Sequence, residues 1–294
     1  MKSGFVTIVG KPNVGKSTLI NAIVGQKISI SSPKPQTTRN KITGIYNDED
    51  SQIVFVDTPG SLVPKSKLDE FMKKSIDSAT LGIDALIILL DGTRITEKDF
   101  NLIESYSKVK VPIFVVINKK DVATYEKVYP KLAKLSEMKF IDSFFSVSAK
   151  TGENVQQLVN AIKAKLGEGI KYYDSDMVTD KSERFLVSEI IREKALLLLQ
   201  DEIPHGIAVD ISKFEEKKKI VNIDSEIIVS KENHKQIVIG KGGSMLKDIG
   251  TRARQDIEKM LDKKVNLQIF VKVRERWQDN TLSLREFGYD KKDV

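Results

Sequence analysis

Gly10-Lys11-Pro12-Asn13-Val14-Gly15-Lys16-Ser17 is the stretch from which the rest of the chain can be read. An apolar run, Phe5-Val6-Thr7-Ile8-Val9, precedes it, and a helical pattern carrying Leu19, Ile20, Ile23 and Val24 follows. Strand, glycine loop and helix in that order turn a GxxxxGK[ST] spacing into a phosphate cradle rather than a plain glycine-rich turn. Glycines let the backbone curl so that successive N–H groups point inward, and the helix N-terminus adds the positive end of its dipole. Lys16 is then placed to reach the β- and γ-phosphates of a nucleotide, and the Ser17 hydroxyl to sit on Mg²⁺.

Downstream, residues 31–39 carry no periodicity and read as a mobile loop. Strand patterns at 42–46 and 53–56 follow, the second ending in Asp57-Thr58-Pro59-Gly60. An Asp at the carboxyl end of a buried strand faces the same crevice as the glycine loop, where it can hold a Mg²⁺-bound water. Gly60 offers a backbone N–H to a γ-phosphate, although Asp-Thr-Pro-Gly is also a common turn. Apolar runs at 85–90, 113–117 and 144–147 alternate with helical segments near 96–108, 125–138 and 155–166. That alternation predicts an α/β fold, a mostly parallel sheet with helices on both faces. Two of these strands end in polar signatures, Asn118-Lys119-Lys120-Asp121 and Ser148-Ala149-Lys150. A carboxylate at Asp121 accepts from both N1–H and the exocyclic amine of guanine, a donor pair that adenine lacks. A wrong base would leave that charge unpaired. Asn118 and Lys119 are expected to brace the loops, and the Ala149 N–H to meet the guanine O6.

The 294 residues suit two domains better than one. The longest purely apolar run, 85–90, falls far short of the roughly 18 residues of a membrane span, and no signal-like segment precedes the first strand. A cytosolic location is therefore expected. Zero cysteines exclude disulfides and thiolate metal sites, and two histidines, His205 and His234, stand apart from each other. The net charge of +7 suggests a polyanionic partner, but its distribution matters more than its total. Residues 1–170 hold 24 basic and 18 acidic side chains against 24 and 23 in residues 171–294, which by itself points to the first half. Within the second half, however, residues 235–276 hold 11 basic and 5 acidic side chains.

That local patch surrounds a second glycine motif. After a segment without apolar periodicity at 167–179 comes a helix at 182–199, then strands at 207–211 and 220–229 flanking a charged turn at 215–219. A short helix at 231–237 leads into Val238-Ile239-Gly240-Lys241-Gly242-Gly243-Ser244. A further helix carries Leu246, Ile249, Ala253, Ile257 and Met260, and Val265, Leu267, Ile269, Val271 and Val273 alternate as a strand. Without side chains at Gly240 and Gly243 a sugar-phosphate backbone can lie against the protein, with the helix N-terminus at Ser244 supplying N–H groups. Lys241, Lys247, Arg252 and Arg254 surround the loop.

Taken in order, the glycine loop, the Thr-containing loop, DTPG, NKxD and SAK resemble the translation-factor-related class of P-loop GTPases over residues 3–167. Residues 182–276 resemble a KH domain of the type II arrangement, an α+β fold. The pairing is similar to the Era family of ribosome-assembly GTPases, which Gln36-Thr37-Thr38-Arg39, Ser188-Glu189-Ile190-Ile191-Arg192-Glu193-Lys194 and a tail with Trp277, Leu282, Gly288 and Tyr289 also match. The resemblance implies a GTPase domain at 1–167, a linker at 168–181, a KH domain at 182–276 and a tail at 277–294. It implies GTP and GDP binding through Gly10, Lys11, Pro12, Asn13, Val14, Gly15, Lys16, Ser17 and Thr18, through Asp57, Thr58, Pro59 and Gly60, and through Asn118, Lys119, Lys120, Asp121, Ser148, Ala149 and Lys150. Mg²⁺ would be held at Ser17, Thr38 and Asp57, with Lys16, Thr38 and Gly60 in the hydrolytic step; Thr37 is the lesser candidate. RNA contacts would come from Ile239, Gly240, Lys241, Gly242, Gly243, Lys247 and Arg252, with bases in an apolar groove beside Ile237 and Ile239. The implied role is a monomeric switch that binds the 3′ end of 16S rRNA, assists 30S subunit assembly, leaves after hydrolysis, and could touch the inner face of the cell membrane peripherally.

Two residues depart from that family's pattern: Ser61 follows DTPG in place of a bulky apolar residue, and Asp174 stands in the linker where proline is frequent. With no glutamine after DTPG, Asn13 is expected to ligate K⁺ beside the phosphates, and Arg39 is a competing source of positive charge. A tRNA-modifying GTPase shares these first-domain motifs but uses a C-terminal cysteine, which this chain lacks. A lipid-binding regulator of cell division is the other alternative, and vesicle co-sedimentation that survives RNase treatment would distinguish it.

Overall fold

The structure is a computed structural model that describes residues 1–34, 36–60 and 64–289. Its first half is built on β1 (Lys2–Val9), β2 (Ile42–Asn47), β3 (Ser51–Asp57), β4 (Ala85–Asp91), β5 (Ile113–Asn118) and β6 (Ser143–Ser146). They lie in the order β2-β3-β1-β4-β5-β6, with only β2 antiparallel to its neighbour. β3 and β5 are buried along their whole length, as near-continuous apolar strands in a sheet covered on both faces should be. Helices α1 (Lys16–Val24) and α5 (Val155–Lys165) cover one face through Leu19, Ile20, Leu158 and Ile162. Helices α3 (Glu97–Ser105) and α4 (Tyr125–Ser136) cover the other through Phe100, Ile103 and Leu135. Gly10, Asp57 and Asn118 consequently stand together at the carboxyl edge, β1 lying between β3 and β4 where the strand order reverses.

The second half packs α6 (Glu183–Leu198), α7 (Glu232–Ile239) and α8 (Ser244–Leu261) on one face of a sheet of β7 (Ala208–Glu216), β8 (Ile220–Val229) and β9 (Lys264–Val273). β7 pairs antiparallel and β9 parallel to β8. β7 runs five residues beyond the expected strand, because its pairing with β8 resumes at Lys213 after an irregularity and continues to Glu216, taking in the first two residues of the expected charged turn.

Three segments hold more structure than the sequence reading gives them. The sequence reading places no helix after the DTPG loop, yet α2 (Lys67–Ala79) forms there, closed by a reciprocal cap between Ser66 and Asp69. The segment at 168–181 is not a free tether: Ile45 N–H donates to the Val178 carbonyl at 2.9 Å, and Gln52 accepts from the N–H groups of Tyr172 and Tyr173 at 2.7 and 3.0 Å. The segment expected to be mobile is pinned at its end, where Thr38 and Arg39 are buried.

Beyond β9 the chain forms a turn at Trp277–Asp279 and α9 (Thr281–Glu286). Trp277, Leu284, Phe287 and Tyr289 cover Ala208 and Ile228 on the outer face of the second sheet, and they also pack against Leu68, Phe71 and Met72 of α2. Burying a side chain such as Phe71 or Met72 contributes about 1.5–3 kcal/mol, so this shared core joins the two halves firmly.

Candidate nucleotide site and nucleic-acid groove

The glycine loop is set by steric limits. Gly15 adopts φ 100°, and a Cβ there would stand 2.3 Å from Asn118 Nδ2. It caps α1 without a side chain, so the first-turn N–H groups remain available to an anion. Lys16 is buried and its ammonium donates to the carbonyls of Gly10 and Lys11, each at 3.1 Å. Burial lowers its pKa to about 8, against the pull of Asp57. The loop borders a cavity of about 410 Å³ that Asn13, Ser17, Thr18, Thr38 and Gly60 also line. Pro12 lines it too, whereas the Lys11 ammonium turns away to Asp99 at 2.7 Å and Thr96 at 2.8 Å.

Beneath the cavity, Ser17 Oγ lies 2.7 Å from Asp57 Oδ2 and 2.9 Å from Thr38 Oγ1, and Thr38 Oγ1 lies 3.5 Å from the same carboxylate oxygen. Ser29 Oγ joins them at 3.0 Å, a member that sequence reasoning missed because nothing local marks it. Asp57 Oδ1 is buried with no partner, and burial pushes the carboxyl pKa up despite Lys16 nearby. An all-oxygen set with an unsatisfied carboxylate oxygen fits Mg²⁺, a hard cation that keeps several waters. Thr37 takes no part, its hydroxyl donating to the Lys34 carbonyl at 2.6 Å. Thr58 is buried and donates to the Ile8 carbonyl at 2.8 Å. Pro59 is buried between it and Gly60, and the expectation for Ser61 lies outside the described residues.

A second cavity of about 320 Å³ adjoins, lined by Gly15, Thr18, Asn118, Lys119, Asp121, Val122, Ala149 and Lys150. Asn118 braces it by donating to the Val14 carbonyl at 2.8 Å, and Ser148 Oγ donates to Asp121 at 2.8 Å. Lys119 pairs with Asp91 at 2.6 Å, while Lys120 points outward to Glu153. The Ala149 N–H, expected to meet guanine, donates instead to Asn118 Oδ1 at 2.9 Å, so a base oxygen must compete for it.

Of two neighbouring side chains, one departs from expectation. Asn13 donates its amide nitrogen to the Pro33 carbonyl at 2.6 Å, a bond that does not involve its amide oxygen. Arg39, expected near the phosphates, turns its guanidinium into the second half of the molecule, where it donates to the Ile207 carbonyl at 2.6 Å.

In the second domain, Gly240 adopts φ 73°, and a Cβ there would meet Met245 Cβ at 2.7 Å. Gly243 opens a groove whose wall is Lys247, Gly250, Thr251 and Arg254, one face of α8 at spacings of three and four. Leu246, Leu267 and Ile269 make its apolar lining. Ile237 and Ile239, expected to flank the groove, do not line this cavity: Ile239 packs partly on the core and Ile237 is exposed. Arg252 stands on another face of α8, paired with Asp248 at 3.0 Å. Helical spacing from Lys247 selects Arg254 over Arg252, and was the signal available. Lys241 and Gly242 are exposed in the loop that leads to Gly243, the first residue lining the groove. Among the described residues no helix is long and apolar enough to cross a membrane.

A family described as 50S ribosome-binding GTPase matches residues 5–119, and the KH domain family matches residues 202–278. GTPase Era of Clostridium kluyveri is 48% identical over 291 residues, 98% of this chain and 99% of that protein. GTPase Era of Clostridium acetobutylicum is 47% identical over 289 residues, 98% of each. Among solved structures, a Tyr-to-Ala variant of Aquifex aeolicus Era bound to GDP·AlF4⁻ superposes with a TM-score of 0.93 at 39% identity, covering 98% of this chain and 99% of that one. Era in complex with MgGDPNP and nucleotides 1506–1542 of 16S ribosomal RNA gives the same score, identity and coverage. Both domains and nearly the whole length are shared with these relatives, so the chain belongs to the Era family of GTPases.

Proposed function

We propose that this GTPase binds Mg²⁺ and GTP at the first-domain site, and that its groove takes single-stranded RNA from the 3′ end of 16S rRNA during assembly of the 30S subunit. The observation that carries the nucleotide reading is the unpartnered Asp57 oxygen beside Ser17 and Thr38, with the buried Lys16 close enough for its charge to act on that carboxylate. Lys16 would exchange two carbonyls for β- and γ-phosphate oxygens. Ser17 and Thr38 would offer their hydroxyls to Mg²⁺, and Asp57 would hold one of its waters. When bound, the metal neutralises charge that develops as the γ-phosphoryl departs. The Gly60 N–H would orient the γ-phosphate, and Asp121 would select guanine. The functional units are then 1–167 for nucleotide and 182–276 for RNA, joined by 168–181 and followed by the tail.

The groove supports the RNA reading by its dimensions and chemistry. A backbone can approach at Gly240 and Gly243, cations at Lys247 and Arg254 line one wall, and Leu246, Leu267 and Ile269 offer an apolar surface to bases, a KH groove taking about four nucleotides. The relative solved with nucleotides 1506–1542 of 16S ribosomal RNA supports the choice of ligand. The test is a titration of the full chain with a single-stranded oligonucleotide of the 16S 3′ end and with the same sequence as a duplex. Tight, salt-sensitive binding of the single strand is expected; equal binding of both would remove the groove reading.

With Arg39 turned away, the Asn13 amide oxygen would hold a K⁺ ion beside the phosphates, and that ion would supply positive charge to the hydrolytic step. Hydrolysis should rise when K⁺ replaces Na⁺ at constant ionic strength, and Asn13→Ala should abolish the difference. Equal rates in both salts would leave the charge to another partner.

A further inference from the structure

Three consecutive residues after the glycine loop go to three places. The Thr37 carbonyl accepts from Arg192 of α6, the Thr38 hydroxyl joins Ser17 and Asp57, and Arg39 enters the second domain. Arg39 is 1% exposed, more deeply buried than most charged groups tolerate. Its guanidinium donates to the carbonyls of Ile207 and His205 at 2.6 and 3.0 Å and to Tyr289 Oη at 3.2 Å. It lies 5.7 Å from the ring centre of Trp277 and 5.9 Å from that of Tyr289. Those rings stack on each other at 6.1 Å, and the Trp277 indole N–H is anchored on the Gly206 carbonyl at 2.9 Å. No carboxylate pairs with the Arg39 guanidinium among these partners. Planarity and a fixed fork of donors make arginine the residue that such an aromatic and carbonyl cage can hold in one pose.

Adjacent Cα atoms are about 3.8 Å apart, so a guanidinium fixed in this cage fixes the peptide that carries Thr38. We propose that Arg39 is a positioning residue for GTP hydrolysis, and that Trp277 and Tyr289 of the C-terminal segment order the metal site through it. The inference rests on Thr38 meeting Mg²⁺, as argued above. Displacement of a reacting or coordinating group by about 1 Å is enough to cost on the order of a hundredfold in rate.

The test uses the full chain with Arg39→Lys, which keeps the charge and loses the fork and the plane. The Mg²⁺ concentration for half-maximal hydrolysis should rise about fivefold or more. The kcat should fall by about tenfold or more. GDP affinity should be unchanged, because the loop and base contacts do not pass through Thr38. A merely structural role would instead lower GDP affinity and melting temperature together, and that result overturns the proposal. Trp277 is the single tryptophan, so its emission reads the cage directly. Emission should differ between the Mg²⁺–GDPNP and Mg²⁺–GDP states, and Arg39→Lys should remove the difference. Identical emission of the unaltered protein in both states overturns the proposal even if the variant does not fold. Thr38→Ala separates the two layers: an unchanged Mg²⁺ requirement there defeats the Thr38 reading beneath. A raised requirement in Thr38→Ala together with a normal one in Arg39→Lys defeats the Arg39 proposal alone.

Discussion

The two ligand regions of this molecule are built on opposite principles. In the first, the groups beside the glycine loop are buried and already bonded to one another, Asp57 and Thr58 being at most 1% exposed and Asn118 holding two loops at once, while Asp121 stands exposed at the rim with only Ser148 bonded to it. In the second, Lys247, Thr251 and Lys241 stand exposed, and Leu267 and Ile269 are only half covered. An enclosed site discriminates by leaving a wrong ligand's partners unpaired in low dielectric, which is costly and all-or-none. An open basic groove gains affinity from charge and stacking, so its losses should be graded and salt-dependent. Substitutions can break that contrast, beginning with the largest expected effect.

Asp121→Asn should lower GTP affinity by about a thousandfold or more and confer binding of xanthosine triphosphate, because the amide replaces the acceptor that guanine's two donors require. The Ser148 hydroxyl, which now donates to Asp121, can still donate to the new amide oxygen, so the fold should survive. Nucleotide competition measures both affinities. Equal GTP affinity in variant and parent would remove Asp121 from the base pocket.

The groove should respond less sharply. Replacing Lys241 and Gly242 together by Asp places two anions in the loop that leads to it and should weaken RNA binding by roughly ten- to a hundredfold near 0.1 M salt. GTP binding should be untouched, since neither residue borders the nucleotide cavities. An unchanged RNA affinity with an unchanged salt slope would show that this loop is not where the backbone passes.

Proton linkage offers a milder probe of the enclosed site. Burial holds the Lys16 ammonium at a pKa of about 8 before ligand arrives, and phosphate oxygens should raise it again. Below pH 8 the lysine is already charged and binding takes up no proton. Above pH 8 binding must protonate it, so nucleotide affinity should fall by up to about tenfold per pH unit until the bound-state pKa is reached. Calorimetry in two buffers at pH 9 would detect the proton uptake, and its absence there would mean that Lys16 stays charged without ligand.

The sequence made the enclosed site legible because its parts are contiguous: Gly10 to Ser17, Asp57 to Gly60 and Asn118 to Asp121 each sit on one loop at one strand's end. What stayed hidden depends on distant partners. Arg39 meets Tyr289 across 250 positions, and nothing in its own neighbourhood says that it is buried. Ser29 reaches Asp57 across 28 positions, and the Gln52 amide holds a linker 121 positions away. Helix α2 has a local signal of its own, since Ser66 and Asp69 spell a capping box and Leu68, Phe71 and Met72 repeat at helical spacing. The groove lay between these cases. Its glycines were visible, but which arginine faces it had to be counted round a helix.

That count yields the smallest and most local of the expected effects. Lys247, Gly250, Thr251 and Arg254 line the groove at helical spacing, and Arg254 keeps its place through an i,i+4 pair with Glu258 at 3.2 Å. Arg252 pairs with Asp248 on another face of the helix. Both arginines carry the same charge on the same helix, so long-range attraction to RNA would lose the same amount with either one. A directly bonded phosphate would tell them apart: Arg254→Ala should weaken RNA binding several-fold and reduce the salt slope by about one, as expected when one phosphate is no longer neutralised. Arg252→Ala should change affinity less than twofold at about 0.15 M salt, where a charge beyond the Debye length of about 8 Å is largely screened. Parallel titrations of the two variants against one oligonucleotide at two salt concentrations measure the difference. Equal losses would mean that the RNA is held by the general field of α8, and larger losses for Arg252 would move the RNA path to the other face of the helix.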